Sequence, residues 1–181
     1  STAGTQTVTV SYTEGDVTGE TSYEITGSEA VILVEDGTYV IAVEEDNAYY
    51  AVSTDANGDR REAVELTGYS GEENYVSHNS KIVWTITNVT GGITVSNGET
   101  YWGAITSGID LKESAASTIT ITKSETEETY LLSGDCGNDG IRYLAKNGTY
   151  GFGVYAESNK DDIYLIPATF VELPTLGTPV V

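Results

Sequence analysis

The hydrophobic positions of this chain fall into short runs, and hardly any of them recur at the helical period. Residues 5–13, TQTVTVSYT, alternate: Val8, Val10 and Tyr12 fall on one face, and Thr7, Thr9 and Ser11 on the other. A period of two marks a strand with one apolar face. A polar, glycine-containing connection, EGDVTGE, follows, and then the runs SYEIT, AVILV and TYVIAVE. The apolar run around Ile32 and Leu33 is continuous, as suits a strand buried on both faces. Asp36-Gly37, between AVILVE and TYVIAVE, predicts a hairpin turn, because glycine takes positive φ at no steric cost. AYYAVS and EAVEL read as further strands, separated by the turn DANGDRR.

Residues 67–80, TGYSGEENYVSHNS, have no clear period and predict a long polar loop, a class of segment that often carries function. From 81 to 167 the runs are KIVWTIT, GITVS, TYWG, TITITK, ETYLLS, IRYLA, GFGVY and DIYLIP, divided by Gly, Asn and Asp. IDLKESAAS is the one helical candidate, and it is too short and too weakly periodic to stand alone. The pattern therefore predicts an all-β chain. Three related blocks, 39–66, 84–111 and 119–165, each of about four short strands, point to a closed barrel or a β-trefoil-like domain. The expected organisation is residues 1–34 as accessory or donated strands, 35–171 as the main β domain, and 172–181 as a proline-containing linker or tail.

Several of these runs carry a family resemblance. YVIAV, WTIT, TYWG, the Leu of IDL, RYLAKN, GFGVY and IYLIP occur in an order that resembles a β-rich module of secreted, multidomain surface proteins of gut-type Bacteroidota and Firmicutes. The resemblance spans 38–167 and rests on core-type apolar and aromatic positions. It implies an exported accessory domain, of the kind found beside hydrolases, nucleases or adhesive repeats, and it brings no catalytic residues. Trp102 stands where a leucine is expected, and Lys146 where an aromatic is expected. In the tail, LPTLG resembles the sorting signal L-P-x-T-G, but Leu176 occupies the threonine position, and the segment is read as a linker.

Charge narrows the function classes. The 181 residues carry 28 acidic and 8 basic side chains, a formal net charge of -20. Beyond Arg60-Arg61 there is no basic cluster to track phosphates, so nucleic acid and anionic membranes are not expected partners. No apolar run approaches the ~20 residues needed to span a bilayer as a helix, so membrane insertion is not expected either. The chain has no Met and opens on small residues, STAGTQ. That opening predicts removal of a signal peptide and an extracellular or cell-surface location. The sequons at Asn88 and Asn147 are then glycosylation candidates.

Catalytic chemistry is poorly represented. One histidine (His78) and one cysteine (Cys136) leave little scope for nucleophile–base pairs or transition-metal sites. No Gly-x-Ser-x-Gly elbow, His-Glu-x-x-His helix, P-loop or dinucleotide fingerprint is present. The chain is therefore expected not to be an enzyme and to need no cofactor, with Ca²⁺ the one candidate ion. Asp55, Asn57 and Asp59 place oxygen atoms at alternate positions of one tight loop, as a Ca²⁺ site requires. Arg60 and Leu66 stand where an EF-hand needs Gly and Glu, so the alternative reading is a hairpin turn rich in Asx residues.

The 13 tyrosines outnumber all other aromatics. Tyrosine joins a large contact face to a polar tip and so serves strand pairing, interfaces and sugar stacking. Trp84, in an apolar strand, reads as core. Tyr69, Tyr75, Tyr101 and Trp102, with Tyr49, are the candidate ligand-stacking residues. Val8, Val10 and Tyr12 are the candidate strand-exchange residues, with segment 5–13 completing a neighbour's sheet. The leading expectation is a structural or adhesive surface module, a filament subunit that pairs with other copies of itself or with other surface proteins. The alternative is a carbohydrate-binding module with glycans as partners.

Overall fold

A computed structural model describes residues 4–27, 33–71, 74–98, 100–105, 109–112 and 116–174. Segment 28–32, which holds most of the expected AVILV strand, and residues 175–181 of the expected tail lie outside the described residues. The chain forms two compact units, Ser1–Ile32 and Leu33–Val181.

The first unit is a single antiparallel hairpin of β1 (Gly4–Glu14) and β2 (Val17–Gly27). Gly15 and Asp16 alone make the turn, and Gly15 takes φ 61° at its first position. Glycine at that position favours a two-residue reversal that matches strand twist. The polar connection expected at EGDVTGE is therefore mostly strand. The register holds through eleven consecutive pairs without a bulge.

The described residues of the second unit form an all-β structure of thirteen strands in one sheet. Its first strands are β3 (Gly37–Glu45), β4 (Ala48–Asn57), β5 (Arg60–Glu65) and the short β6 (Tyr75–Ser77). Then come β7 (Val83–Val89), β8 (Gly92–Ser96), β9 (Tyr101–Ile105) and β10 (Ile109–Lys112). The last five are β11 (Thr120–Lys123), β12 (Tyr130–Asp135), β13 (Ile141–Lys146), β14 (Phe152–Tyr155) and β15 (Tyr164–Phe170). The path runs β10-β9-β8-β7-β3-β4-β5-β14-β13-β12-β11, with β15 on β3 and on β6. Among the described residues all pairings are antiparallel except β15 with β6. Among the described residues no helix is long and apolar enough to cross a membrane. Of the IDLKESAAS candidate, Ile109–Lys112 form strand β10, and residues 113–115 lie outside the described residues.

The closed barrel and the β-trefoil are not formed. The path has two ends, β10 and β11, and among the described residues no sheet closes on itself. The three sequence blocks are also unequal: they hold three, four and five strands in chain order, whereas a trefoil needs equal units. The sheet rolls at joints of minimal pairing. β5 meets β14 through the single pair Arg61–Phe152, and β8 meets β9 through Ser96–Tyr101. Ile93 and Ile119 form an isolated bridge between β8 and the segment entering β11. Two glycines permit these approaches: a Cβ on Gly92 would lie 2.0 Å from the Ile119 carbonyl oxygen, and one on Gly151 would lie 2.2 Å from that of Arg61.

β3 is the centre of the unit. β7 and then β4 share one of its edges, and β15 covers the other. Tyr39, Ile41 and Val43 point into the main core, with Trp84, Trp102, Ile93, Leu132, Leu144 and Phe152. Val40 and Ala42 point the other way, into a smaller cluster with Leu66, Ile82, Val83 and Ile166. A strand apolar on both faces is the prediction for a continuous run, and TYVIAVE satisfies it. Burying each large apolar side chain contributes roughly 1.5–3 kcal/mol.

The hairpin expected at Asp36-Gly37 is absent. Gly37 opens β3 opposite Ile86, and the Asp36 carboxylate accepts from the Asn88 backbone N–H at 2.7 Å and from its side-chain amide at 2.8 Å. Those bonds hold the Asp36 carboxyl below its usual range. The tight turn lies one strand later, at Asp46 and Asn47, with φ 54° and 63°. Two left-handed residues build a type I′ turn, and short Asx side chains tolerate that region.

Candidate functional site

The most structured surface feature of the second unit lies over the smaller cluster. Tyr49 begins β4, Tyr69 follows β5, Tyr75 opens β6 and Tyr164 opens β15. Their rings interlock edge to face: Tyr49–Tyr69 at 5.0 Å, Tyr49–Tyr164 at 5.2 Å and Tyr69–Tyr75 at 5.7 Å between centroids. Such pairs contribute about 0.5–1.5 kcal/mol each beyond area burial, so the rings hold one another in place. Each ring buries its body against the apolar cluster below and leaves part of its surface open.

Tyr49, Tyr69 and Tyr164 continue into a groove of about 510 Å³ that also takes in Tyr130, Lys123 and Glu128 from the β11–β12 turn. The Lys123 ammonium stands 4.6 Å from the Tyr130 ring centroid, and Tyr130 donates its hydroxyl to the Leu33 carbonyl at 3.0 Å. Tyr164 donates to Glu44 at 3.1 Å. Burial, followed by that bond to Glu44, pushes the Tyr164 phenol up to about 12. Burial and Glu44 also raise Tyr49. Both hydroxyls therefore remain protonated donors at neutral pH. Glu128 sits at the rim with φ 62°, a left-handed conformation unusual for a glutamate.

Of the aromatic candidates, the structure brings Tyr69 and Tyr75 together with Tyr49. Tyr101 and Trp102 lie elsewhere, on β9. Trp102 is fully buried and packs edge to face on Trp84 at 5.4 Å, so it is core and offers no stacking face to solvent. This corrects its assignment as a ligand residue: the alternation of YWG sends Tyr101 outward and Trp102 inward. Tyr101 is half-buried and paired with Ser96. The sequence reading missed Tyr130, Tyr164, Lys123 and Glu128, because each stands in an ordinary strand or turn and only the sheet path makes them neighbours.

Asp55, Asn57 and Asp59 each have a separate protein partner. Lys81 Nζ takes both Asp55 carboxylate oxygens at 2.9 Å, the Asn57 amide donates to the Thr149 carbonyl, and Asp59 faces Arg60 at 3.8 Å. Gly58, with φ 66°, and Asp59 are simply the β4–β5 turn. Among the described residues no group of three or more His, Cys, Asp or Glu side chains is placed to hold a metal ion.

The two sequons differ. The Asn88 side-chain amide is half-buried and donates to Val34 and Asp36, whereas Asn147 is exposed at the β13–β14 turn. Cys136 Sγ donates to the Ile105 carbonyl, and burial raises its thiol above the ordinary range, so it is no activated nucleophile. His78 Nδ1 lies 2.7 Å from the Val171 carbonyl. Lys146, at the position where the resemblance expects an aromatic, lies with its side chain nearly buried. It pairs with Glu45, and its ammonium stands 4.3 Å from the Tyr50 ring centroid.

In the first unit, the strand-exchange candidates share one face. Val8, Val10, Tyr12 and Glu14 stand opposite Tyr23, Thr21, Gly19 and Val17. The other face of the same pairs holds Thr7, Thr9, Ser11 and Thr13 against Glu24, Ser22, Glu20 and Thr18. The apolar face is open: Val10, Tyr12, Val17 and Tyr23 are 49%, 62%, 71% and 52% exposed. β1 is fully paired with β2, so these residues sit on a two-stranded ribbon and not on a lone strand. Compared with protein-family models, with curated proteins and with solved structures, the chain matches none of them.

Proposed function

We propose that this chain is a non-enzymatic structural or adhesive module of an extracellular surface, and that it assembles with other copies of itself by β-strand addition at the outer edge of β1. The observation that carries this reading is the bare amphipathic hairpin. A two-stranded sheet is marginal in water and needs a third strand or a packed face for independent stability. An edge strand also presents a row of unpaired backbone groups, which natural proteins blunt with Lys, Pro or bulges. Residues 4–27 contain no Lys, Arg or Pro, and the pairing has no bulge.

The two edges differ in charge, and this selects β1. β2 carries Glu20 and Glu24, whereas residues 4–13 of β1 are uncharged. In a chain of net charge -20, pairing through β1 keeps carboxylates out of the new ladder. A neighbour added there would extend both the Thr/Ser face and the Val/Tyr face, and backbone hydrogen bonds would supply affinity. The extracellular placement rests on the acidity and on the resemblance to exported surface modules.

Size-exclusion chromatography with light scattering, on the full chain and on residues 33–181, tests the reading. The full chain is expected to form concentration-dependent oligomers, visible by electron microscopy if they extend into filaments, and the shorter chain to stay monomeric. Equal monomer masses for both at high concentration, or equal assembly of both, would refute it.

A further inference from the structure

We infer that the tyrosine groove of the second unit is a binding site for an uncharged oligosaccharide. Its lining has the chemistry that a sugar needs. Tyr49, Tyr69, Tyr130 and Tyr164 offer aromatic surface to the C–H faces of pyranose rings, while Lys123 and Glu128 offer a donor and an acceptor to their hydroxyls.

Charge selects the ligand class. Acidic residues outnumber basic ones 28 to 8 over the chain, yet the groove's own lining carries one of each, with the Glu44 carboxylate held on the Tyr164 hydroxyl. The neighbouring cavity, of about 690 Å³, is lined by Glu44, Asp46, Asp161 and Asp162 with Lys160 as its only cation, and it would draw a cationic ligand away. An anionic ligand would meet the repulsion of the whole molecule. What remains favoured at the tyrosines is a neutral, hydroxyl-rich ligand.

The groove is preorganised. Edge-to-face contacts fix the rings at 81° and 85° to Tyr49, so little side-chain entropy is lost on binding. Glu44 anchors the Tyr164 hydroxyl from behind. Among the lining residues Glu128 is held at φ 62°, a left-handed conformation uncommon for a non-glycine residue. Residues 67–71, the start of the segment singled out in the sequence for its lack of period, supply the Tyr69 rim, and 75–77 of that segment form β6.

The test is an NMR titration of the full chain with cellohexaose, mannohexaose, chitohexaose and maltohexaose, each followed to saturation. A proline-rich decapeptide and a hexauronate serve as competing ligand classes. The inference expects at least one neutral hexasaccharide to saturate, with shifts centred on Tyr69, Tyr130 and Tyr164. Tyr69→Ala should weaken that binding about tenfold or more. The exposed Lys123→Ala should weaken it severalfold at an unchanged melting temperature, which guards against a Tyr69 variant that misfolds. No saturating neutral sugar, shifts outside the groove, preference for the peptide or the uronate, or full affinity in the Lys123 variant with Tyr69→Ala also unaffected would each overturn it.

Discussion

β3 and the β1–β2 hairpin are built from similar letters and live in opposite surroundings. TYVIAVE is covered on both faces and on both edges: β7, β4 and β15 take its backbone, and two separate apolar clusters take its side chains. TQTVTVSYT has a partner on one edge and exposes its apolar face. The difference teaches that an apolar alternation states what a strand needs and not where it is satisfied. In β3 the need is met inside the chain. In the hairpin Val10, Tyr12, Val17 and Tyr23 stay exposed.

The comparison can be broken first at the core. Trp84 is fully buried, packs on Trp102 and donates its indole N–H to the Val52 carbonyl at 2.9 Å. Trp84→Ala should cost about 3–5 kcal/mol of unfolding free energy, measured by urea denaturation. A loss under about 1 kcal/mol would mean that the two faces of β3 are less dissimilar from the hairpin than drawn. Next, Gly92→Ala forces a Cβ to within 2.0 Å of the Ile119 carbonyl oxygen. It should destabilise by about 1–3 kcal/mol through displacement of that seam, whereas Gly19→Ala in the hairpin, where a Cβ meets nothing within 4 Å, should be nearly silent in the same assay.

Val10→Lys sharpens the contrast from the other side. It changes an exposed residue, so monomer stability should move by less than about 0.5 kcal/mol. Yet it places a charge on the open apolar face and should abolish the concentration-dependent oligomer. Retained assembly would show that the face takes no part.

The smallest effect concerns pH. Burial, outweighing the bond from the Lys146 N–H, raises the Asp161 carboxyl above its ordinary value. A carboxyl raised in the folded state binds its proton more tightly there than in the unfolded chain. Its ionised form therefore costs stability at neutral pH, and that cost fades as pH falls through the folded value toward the ordinary carboxylate range. Asp161→Asn keeps an acceptor for Lys146 and removes the charge. It should raise the melting temperature slightly at pH 7 and leave it unchanged in acid, below the ordinary carboxylate range. An identical shift at both pH values would place its cause elsewhere.

Much of the strand content was legible in the sequence, because periods of two and continuous apolar runs report burial directly. TYVIAVE, AYYAVS, EAVEL and Trp84 all stand as read. Turn chemistry was less faithful. Asp36-Gly37 has the letters of a hairpin, but the Asp36 carboxylate is bound to Asn88 across the sheet. Asp46-Asn47, with weaker letters, makes the turn. Topology was the least legible property. Blocks that look alike along the chain supply unequal numbers of strands to one open, rolled sheet, and local spacing does not encode which edges meet. The groove suffered for the same reason: Tyr69 and Tyr75 were recognised by type, but Tyr130 and Tyr164 arrive through β12 and β15 from far along the chain. Trp102 was misjudged because one residue of phase decides between core and surface.

The central claim is that the hairpin edge is completed by a neighbour, and hydrogen exchange of the β1 amides across a dilution series tests it most directly. The outward-facing alternate amides of β1 are predicted to exchange freely in dilute solution and to become protected as concentration rises. The amides of β3 should stay protected throughout. Free exchange along β1 at every concentration, with oligomers present, would contradict the account.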